Sequence, residues 1–296
     1  MEKIIIPTDY NYIACFLTLA CNLKCSYCIN LMNDYDRRKV HHGRPPMSAQ
    51  DWINALNRIE ATNELPITLQ GGEPTVHPDF YTIVNGVNRP MDLLTNCQFD
   101  MDRFTREVPI TKFKRNAPYA SIRISYHPEQ MELNDTVKRV SKLAGLGYQV
   151  GVWSVLVPEW REHILNEAQY RFRELGIDFR TKELMDGGTA HGHGTYKYKE
   201  AVGADYLRDC MCRTTELLVA PDGSIHRCHS DIYNLRKGIG HIMQESYTPD
   251  REYRFCGVYG DCSGCDIKLT FNRFQQPNWT SVEIKDVDWE HERKRD

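Results

Sequence analysis

The sequence lacks the long hydrophobic runs of a membrane protein: no apolar stretch approaches the ~18 residues that a spanning helix needs. It also lacks a basic N-terminal patch followed by an apolar core, so no secretory signal is legible. Charge of one sign is missing too. Lysine and arginine number 37 against 40 aspartates and glutamates, a formal balance of −3 over 296 residues. That leaves no basic footprint for nucleic acid and nothing to hold an anionic membrane surface. Cysteine, by contrast, is plentiful at 11 residues. Without a secretory signal, so many thiols point to metal binding in a reducing, cytoplasmic compartment rather than to a disulfide framework. The length suffices for one large or two modest domains with a substantial core.

The cysteines are grouped. Cys21, Cys25 and Cys28 form C-x3-C-x2-C directly after an apolar run, Ile13 to Leu19, that predicts a first strand. Three thiolates on one loop suit an iron–sulfur cube, for which soft sulfur ligands are selective. A four-iron cube needs four ligands and this loop offers three. One iron keeps an open position, which is what separates a reactive metal site from a structural one. Taken alone, the triplet also admits a zinc site or a plain electron-transfer site. Downstream, a strand-like run from Ile67 to Gln70 leads into Gly71-Gly72-Glu73-Pro74. Glycines let backbone approach a ligand closely, and Pro74 fixes the exit of the turn and removes a donor.

The triplet, with Tyr27 just before its third cysteine and GGEP following, resembles the radical S-adenosylmethionine superfamily. The resemblance implies a [4Fe-4S] cluster on Cys21, Cys25 and Cys28 whose open iron is chelated by the amino and carboxylate groups of S-adenosyl-L-methionine. One electron, delivered through a reducing partner such as flavodoxin or ferredoxin, would then break the sulfonium bond. The 5′-deoxyadenosyl radical so released takes hydrogen from the substrate. The same resemblance implies cofactor-binding roles for Tyr27, Gly71, Gly72, Glu73 and Pro74. Asn96, near the end of a strand read from Met91 to Gln98, and Ser125, near the end of one read from Ala120 to Tyr126, are further cofactor candidates. Polar strand ends are also common on other grounds.

Taken in order, strand-like and helix-like segments alternate over residues 1–185, which implies an α/β fold of parallel βα units. Further strands are predicted over 149–157 and 177–184, with helices over 131–146 and 159–175. Ser48 is the expected N-cap of a helix carrying Trp52, Ala55, Leu56 and Ile59 on one face. The resemblance implies an open (β/α)6 partial barrel with its site at the C-terminal mouth of the strands. The charged connection from Asn33 to Pro46, with His41 and His42, reads as solvated or as bordering the site. The basic cluster Lys112, Lys114 and Arg115 reads as a solvated face. Cys15 and Cys97 read as buried apolar thiols.

From Asp186 the composition shifts to glycines and two histidines, His191 and His193, so residues 186–209 read as a linker or mobile loop. Residues 210–296 are expected to form a small β-hairpin/α domain with a charged tail. Cys212 precedes a strand from Glu216 to Ala220, the turn Pro221-Asp222-Gly223, and a strand running to His226-Arg227-Cys228. Cys262 and Cys265 then form C-x2-C. The pattern resembles the twitch domain, the shortened form of the SPASM domain, and implies a second, auxiliary [4Fe-4S] cluster on Cys212, Cys228, Cys262 and Cys265. Cys210 and Cys256 lie close by, and an all-cysteine zinc ribbon also satisfies this spacing. Cys256 reads as a bystander, as a ligand, or as a thiol that returns a hydrogen atom to a substrate radical, as in radical epimerases.

The predicted barrel starts almost at once, with no preceding stretch for a peptide-recognition domain. The expected substrate is therefore a small hydroxylated metabolite, a sugar or aminocyclitol, dehydrogenated or epimerised at a carbon–hydrogen bond. The alternative is the same oxidoreductase or epimerase chemistry on a peptide, as in natural-product biosynthesis. A non-catalytic iron–sulfur or zinc scaffold is the third reading, and it needs neither GGEP nor an open iron.

Overall fold

Period-2 alternation along the strands decides which residues face helices and which do not. The computed structural model describes residues 1–30, 44–61, 65–117, 119–186, 189–191, 195–202, 206–263, 268–269 and 280–287. His41, His42, His193, Cys265 and the charged tail lie outside the described residues. In the first part of the chain the strands are β1 (Ile4–Ile6), β2 (Tyr12–Thr18), β3 (Ile59–Ala61), β4 (Ile67–Gly71), β5 (Met91–Thr95), β6 (Ile122–Ser125), β7 (Val150–Leu156) and β8 (Phe179–Asp186). Strands β2, β4, β5, β6, β7 and β8 lie side by side in that order, each parallel to the next. Parallel neighbours require crossovers. These carry α1 (Ala49–Leu56), α2 (Phe80–Gly86), α3 (Met101–Glu107), α4 (Leu133–Gly145) and α5 (Asn166–Glu174).

One face of the sheet is apolar. Ile13, Cys15 and Leu17 of β2, Leu69 of β4, Leu93 of β5 and Ile124 of β6 join Trp52, Phe80, Phe104, Leu143 and Phe172 of the helices in one core. Each such side chain contributes roughly 1.5–3 kcal/mol on burial. The alternate residues point the other way and are largely polar. Tyr12 donates to Gln70 Oε1 at 3.0 Å, and Arg180 stacks over the Trp153 ring at 5.6 Å. Asp92 is fully buried on this face, and Arg115 grips it through two bonds of 2.7 and 2.9 Å while Arg123 reaches it at 3.2 Å. Of the basic cluster, Lys114 is exposed as expected, whereas Lys112 and Arg115 are partly buried. Arg115 is drawn in because a buried carboxylate needs a hydrogen-bonded partner, and Lys112 Nζ donates to the carbonyls of Asn85 and Val87 at 2.9 and 2.8 Å.

Several boundaries differ from the sequence reading. Ser48 caps α1 as expected, accepting from Asp51 N at 3.1 Å, but the helix ends at Leu56 and Ile59 opens β3, which pairs with β1. The strand from Met91 stops at Thr95, because Asn96 N turns to a side-chain acceptor and Cys97 adopts φ 60°. The predicted helix over 159–175 begins with two irregular turns before α5 starts at Asn166.

The later strands are β9 (Thr189–His191), β10 (Thr195–Tyr196), β11 (Arg208–Thr214), β12 (Glu216–Val219), β13 (Ser224–His226), β14 (Gly240–His241), β15 (Arg254–Tyr259), β16 (Lys268–Leu269) and β17 (Val282–Lys285), with a short helix α6 (His229–Tyr233). Part of the stretch read as a linker is therefore strand, and β9 folds back antiparallel on β8. The predicted hairpin forms from β12 and β13, with Gly223 at φ 83° in its turn. It does not stand apart: β12 pairs in parallel with β2, placing Glu216 opposite Tyr12 and extending the main sheet to 10 strands. Strands β15, β11 and β17 form a separate three-stranded sheet. Among the described residues no helix is long and apolar enough to cross a membrane.

The turn after β4 is stitched to the loop after β2. Gly72 N donates to Thr18 O and Glu73 N to Ala20 O, both at 2.8 Å. A Cβ on Gly71, which sits at φ 143°, would fall well inside van der Waals contact of Thr18 O, and one on Gly72 would strike Ala20 O. We expect Gly72→Ala to cost about 1–3 kcal/mol or more, since the obstacle is backbone. Gly145→Ala, at a helical position with open space around it, should instead stabilise by about 0.5–1 kcal/mol. Denaturant midpoints of the two variants check this.

Candidate functional site

The stitched turn fixes where the cysteine loop leaves β2. Cys21, Cys25 and Cys28 are all half-buried, and the loop is closed by Cys28 N donating to Cys25 O at 3.2 Å and Leu23 N to Cys21 Sγ at 3.4 Å. Burial first, then the thiols of Cys28 and Cys21, push the Cys25 pKa up to about 12. A buried thiol that resists ionisation beside two others is relieved by a cationic group, and soft sulfur donors on one loop fit an iron–sulfur cube.

The loop after β6 clamps the cysteine loop from the other side. Tyr27 Oη hydrogen-bonds with His127 Nδ1 at 2.8 Å, and its ring packs edge-on against Trp160 with centroids 5.3 Å apart. Burial pushes the His127 pKa down to about 4, so the imidazole is neutral around pH 7. Ser26 donates to Glu129 through both N and Oγ at 2.7 Å, and Lys24 N donates to Gln130 Oε1 at 3.4 Å. None of His127, Glu129, Gln130 or Trp160 stands out in the sequence. Only the return of β6, followed by residues 127–130, and of β7, followed by Trp160, beside the cysteine loop gives them a role.

Glu73 is buried, 1% exposed, and faces the framework. Its Oε1 accepts from Thr75 N at 3.1 Å, Thr75 Oγ1 at 2.7 Å and Thr95 Oγ1 at 2.8 Å, while Oε2 accepts from Asn96 N at 2.6 Å. Burial pushes its carboxyl pKa up, and these four donors oppose that shift. The carboxylate thereby ties the GGEP turn to the end of β5. Asn96 carries the chain of contacts on: its Nδ2 donates to Asn22 Oδ1 at 2.7 Å and lies 3.9 Å from Cys21 Sγ. The structure thus brings the cysteine loop, Gly71 to Pro74 and Asn96 together at the C-terminal ends of β2, β4 and β5. Ser125 closes β6 opposite Trp153, partly exposed. Cys15 and Cys97 are fully buried, as expected.

A second constellation forms around β11. Cys210 and Cys212 alternate onto one face of that strand, and Cys256 on β15 is the direct cross-strand partner of Cys210. Cys228 caps α6, its Sγ accepting from Asp231 N at 3.4 Å, and Cys262 is anchored by N–H donation to Ala201 O at 2.8 Å. These five thiols line one cavity, together with Arg227, Arg236 and Asp261, and no lining residue comes from the 21–28 loop. The Cys210–Cys256 hydrogen bond pushes the Cys210 pKa up and that of Cys256 down. Three of the four ligands read from sequence, Cys212, Cys228 and Cys262, therefore share a cavity, and Cys265 lies outside the described residues. The sequence reading left Cys210 and Cys256 beside the set; the fold brings both into it. Among the described residues no three Cys, His, Asp or Glu side chains are placed to chelate a single ion. In a cube each thiolate binds its own iron.

No protein-family model matches the chain. It is 24% identical over 212 residues to a GTP 3′,8-cyclase of Aquifex aeolicus, covering 66% of this chain and 62% of that protein. It is 34% identical over 79 residues to a PqqA peptide cyclase of Methylorubrum extorquens, covering 27% of this chain and 19% of that one. The chain thus spans less than two thirds of the length of these curated relatives. Among solved structures, anSMEcpe with bound AdoMet shares its fold, with a TM-score of 0.52 at 16% identity over 82% of this chain and 78% of that one. The same neighbour has also been solved with bound AdoMet and the Cp18Cys peptide. These similar proteins are radical S-adenosylmethionine enzymes, the superfamily that the cysteine triplet resembles.

Proposed function

We propose that this protein is a radical S-adenosylmethionine enzyme that modifies a peptide. The observation that carries the reading is the union of Cys25, flanked by the thiols of Cys21 and Cys28, with the Gly72–Glu73–Asn96 frame at one edge of a parallel sheet. Cys21, Cys25 and Cys28 would hold a [4Fe-4S] cluster, which with S-adenosylmethionine supplies hydrogen-atom abstraction. Tyr27, fixed by His127 and Trp160, orients the cysteine loop. The backbone around Gly71, Gly72 and Pro74, together with Asn96 and Ser125, is offered to S-adenosylmethionine. Glu73 is a positioning residue: its carboxylate already accepts four hydrogen bonds from the turn and from the end of β5.

The peptide reading displaces the sugar or aminocyclitol expectation, which nothing in the comparisons supports. Similarity to a PqqA peptide cyclase and to a fold neighbour solved with a peptide favours it. The similarity to GTP 3′,8-cyclases covers more of the chain and supports a second reading, a nucleotide substrate. The auxiliary [4Fe-4S] cluster is assigned to Cys212, Cys228, Cys262 and Cys265, with Cys210 and Cys256 as neighbouring thiols. The place of Cys256 in that cavity favours a role at the second cluster over hydrogen donation to substrate.

The deciding measurement is 5′-deoxyadenosine formation by the anaerobically reconstituted, reduced protein. Stimulation by small peptides is expected; stimulation by nucleotides or sugars alone rejects the peptide substrate. With Cys21, Cys25 and Cys28 all changed to Ala, about four irons per chain should remain, the content of one cube, and bound zinc would reject the auxiliary cluster. Glu73→Gln should lower the stability of the ligand-free chain by about 1–3 kcal/mol, because it faces a donor against donors. Unchanged stability with lost S-adenosylmethionine binding would make Glu73 a direct cofactor ligand.

A further inference from the structure

Arg227 enters the thiol cavity half satisfied. It sits between β13 and Cys228, and its side chain is 13% exposed. Nη1 donates to Phe255 O on β15 at 2.9 Å, and Nη2 pairs with Asp231 Oδ2 at 3.5 Å. Nε is buried with no hydrogen-bond partner. The two Nη contacts hold the planar fork from both sides, so the direction of Nε–H is set by other residues. Leaving a charged donor unpaired in the interior costs at least about 1–3 kcal/mol. The cost is recovered when an acceptor occupies the cavity that the guanidinium borders. The other cation there, Arg236, is already engaged by Ser230, Asp231 and Asp261. Arg227 is the one whose charge is felt by the thiols of Cys256, Cys212 and Cys228 as well as by Asp231.

We propose that Arg227 tunes the auxiliary cluster: its Nε–H donates to a sulfur of the anionic iron–sulfur group in this cavity and raises that group's reduction potential. The inference rests on reading the cavity as an auxiliary-cluster site. One electron added to a cube already bound by thiolates increases its negative charge. A fixed cation and an N–H aimed at sulfur stabilise the reduced form more than the oxidised one. The consequence is an auxiliary cluster better able to accept an electron from a substrate radical than one held in this cavity without Arg227.

The test is a mediated spectroelectrochemical titration of the full chain with Cys21, Cys25 and Cys28 replaced by Ala, so that only the second site is loaded. Arg227→Met, which removes charge and donor, should lower the reduced-to-oxidised ratio at a fixed potential about tenfold, equivalent to about 59 mV for a one-electron couple. Arg227→Lys, which keeps the charge, should fall between. Iron content should stay at about four per chain in all three proteins. Ratios that agree within twofold would overturn the proposal and leave the cluster reading standing. Absence of iron from the parent would overturn the cluster reading itself, and loss of iron from both Arg227 variants would make Arg227 structural and reject tuning.

Discussion

Two backbone hydrogen bonds, from Gly72 N to Thr18 O and from Glu73 N to Ala20 O, set the geometry of the first site. They bring the turn after β4 against the start of the cysteine loop so closely that no side chain fits at either glycine. From that contact the Glu73 carboxylate reaches Thr95 and Asn96, and Asn96 reaches Asn22 beside Cys21. The glycines were read from sequence as a way for backbone to approach a ligand. In the fold their first duty is to let backbone approach backbone, and whatever binds there meets a frame already rigid.

The opposite, polar face of the sheet is built around a charge that cannot be left alone. Asp92 lies fully buried near the start of β5, and two arginines from different segments converge on it. Removing both arginines would leave its charge unpaired in the interior, which is far costlier than losing a surface ion pair. The arrangement lies toward the N-terminal ends of the strands, where barrel-like folds place residues of stability rather than of chemistry.

The second site belongs to a different sheet from the first but is joined to it through the chain. The hairpin of β12 and β13 runs beside β2 in the main sheet, and Cys228 follows it directly as the cap of α6. Cys210 and Cys212 are carried by β11, just upstream of that hairpin. Two thiol constellations are thus anchored to opposite ends of strands that share one sheet or adjoin it.

How much of this was legible without coordinates follows from the range of the forces involved. The C-x3-C-x2-C loop, the GGEP turn, the hairpin at Asp222-Gly223 and six parallel strands could all be read locally, because spacing, turn chemistry and strand period are local properties. The sequence by itself determined where the thiols are grouped and where the backbone must bend. Only the tertiary structure decided that β12 lies beside β2, that Arg115 turns inward to Asp92, that His127 and Glu129 grip the cysteine loop, and that Cys210 and Cys256 face Cys228 across one cavity. Those pairings join residues far apart along the chain, and burial selects them only when the whole sheet has formed.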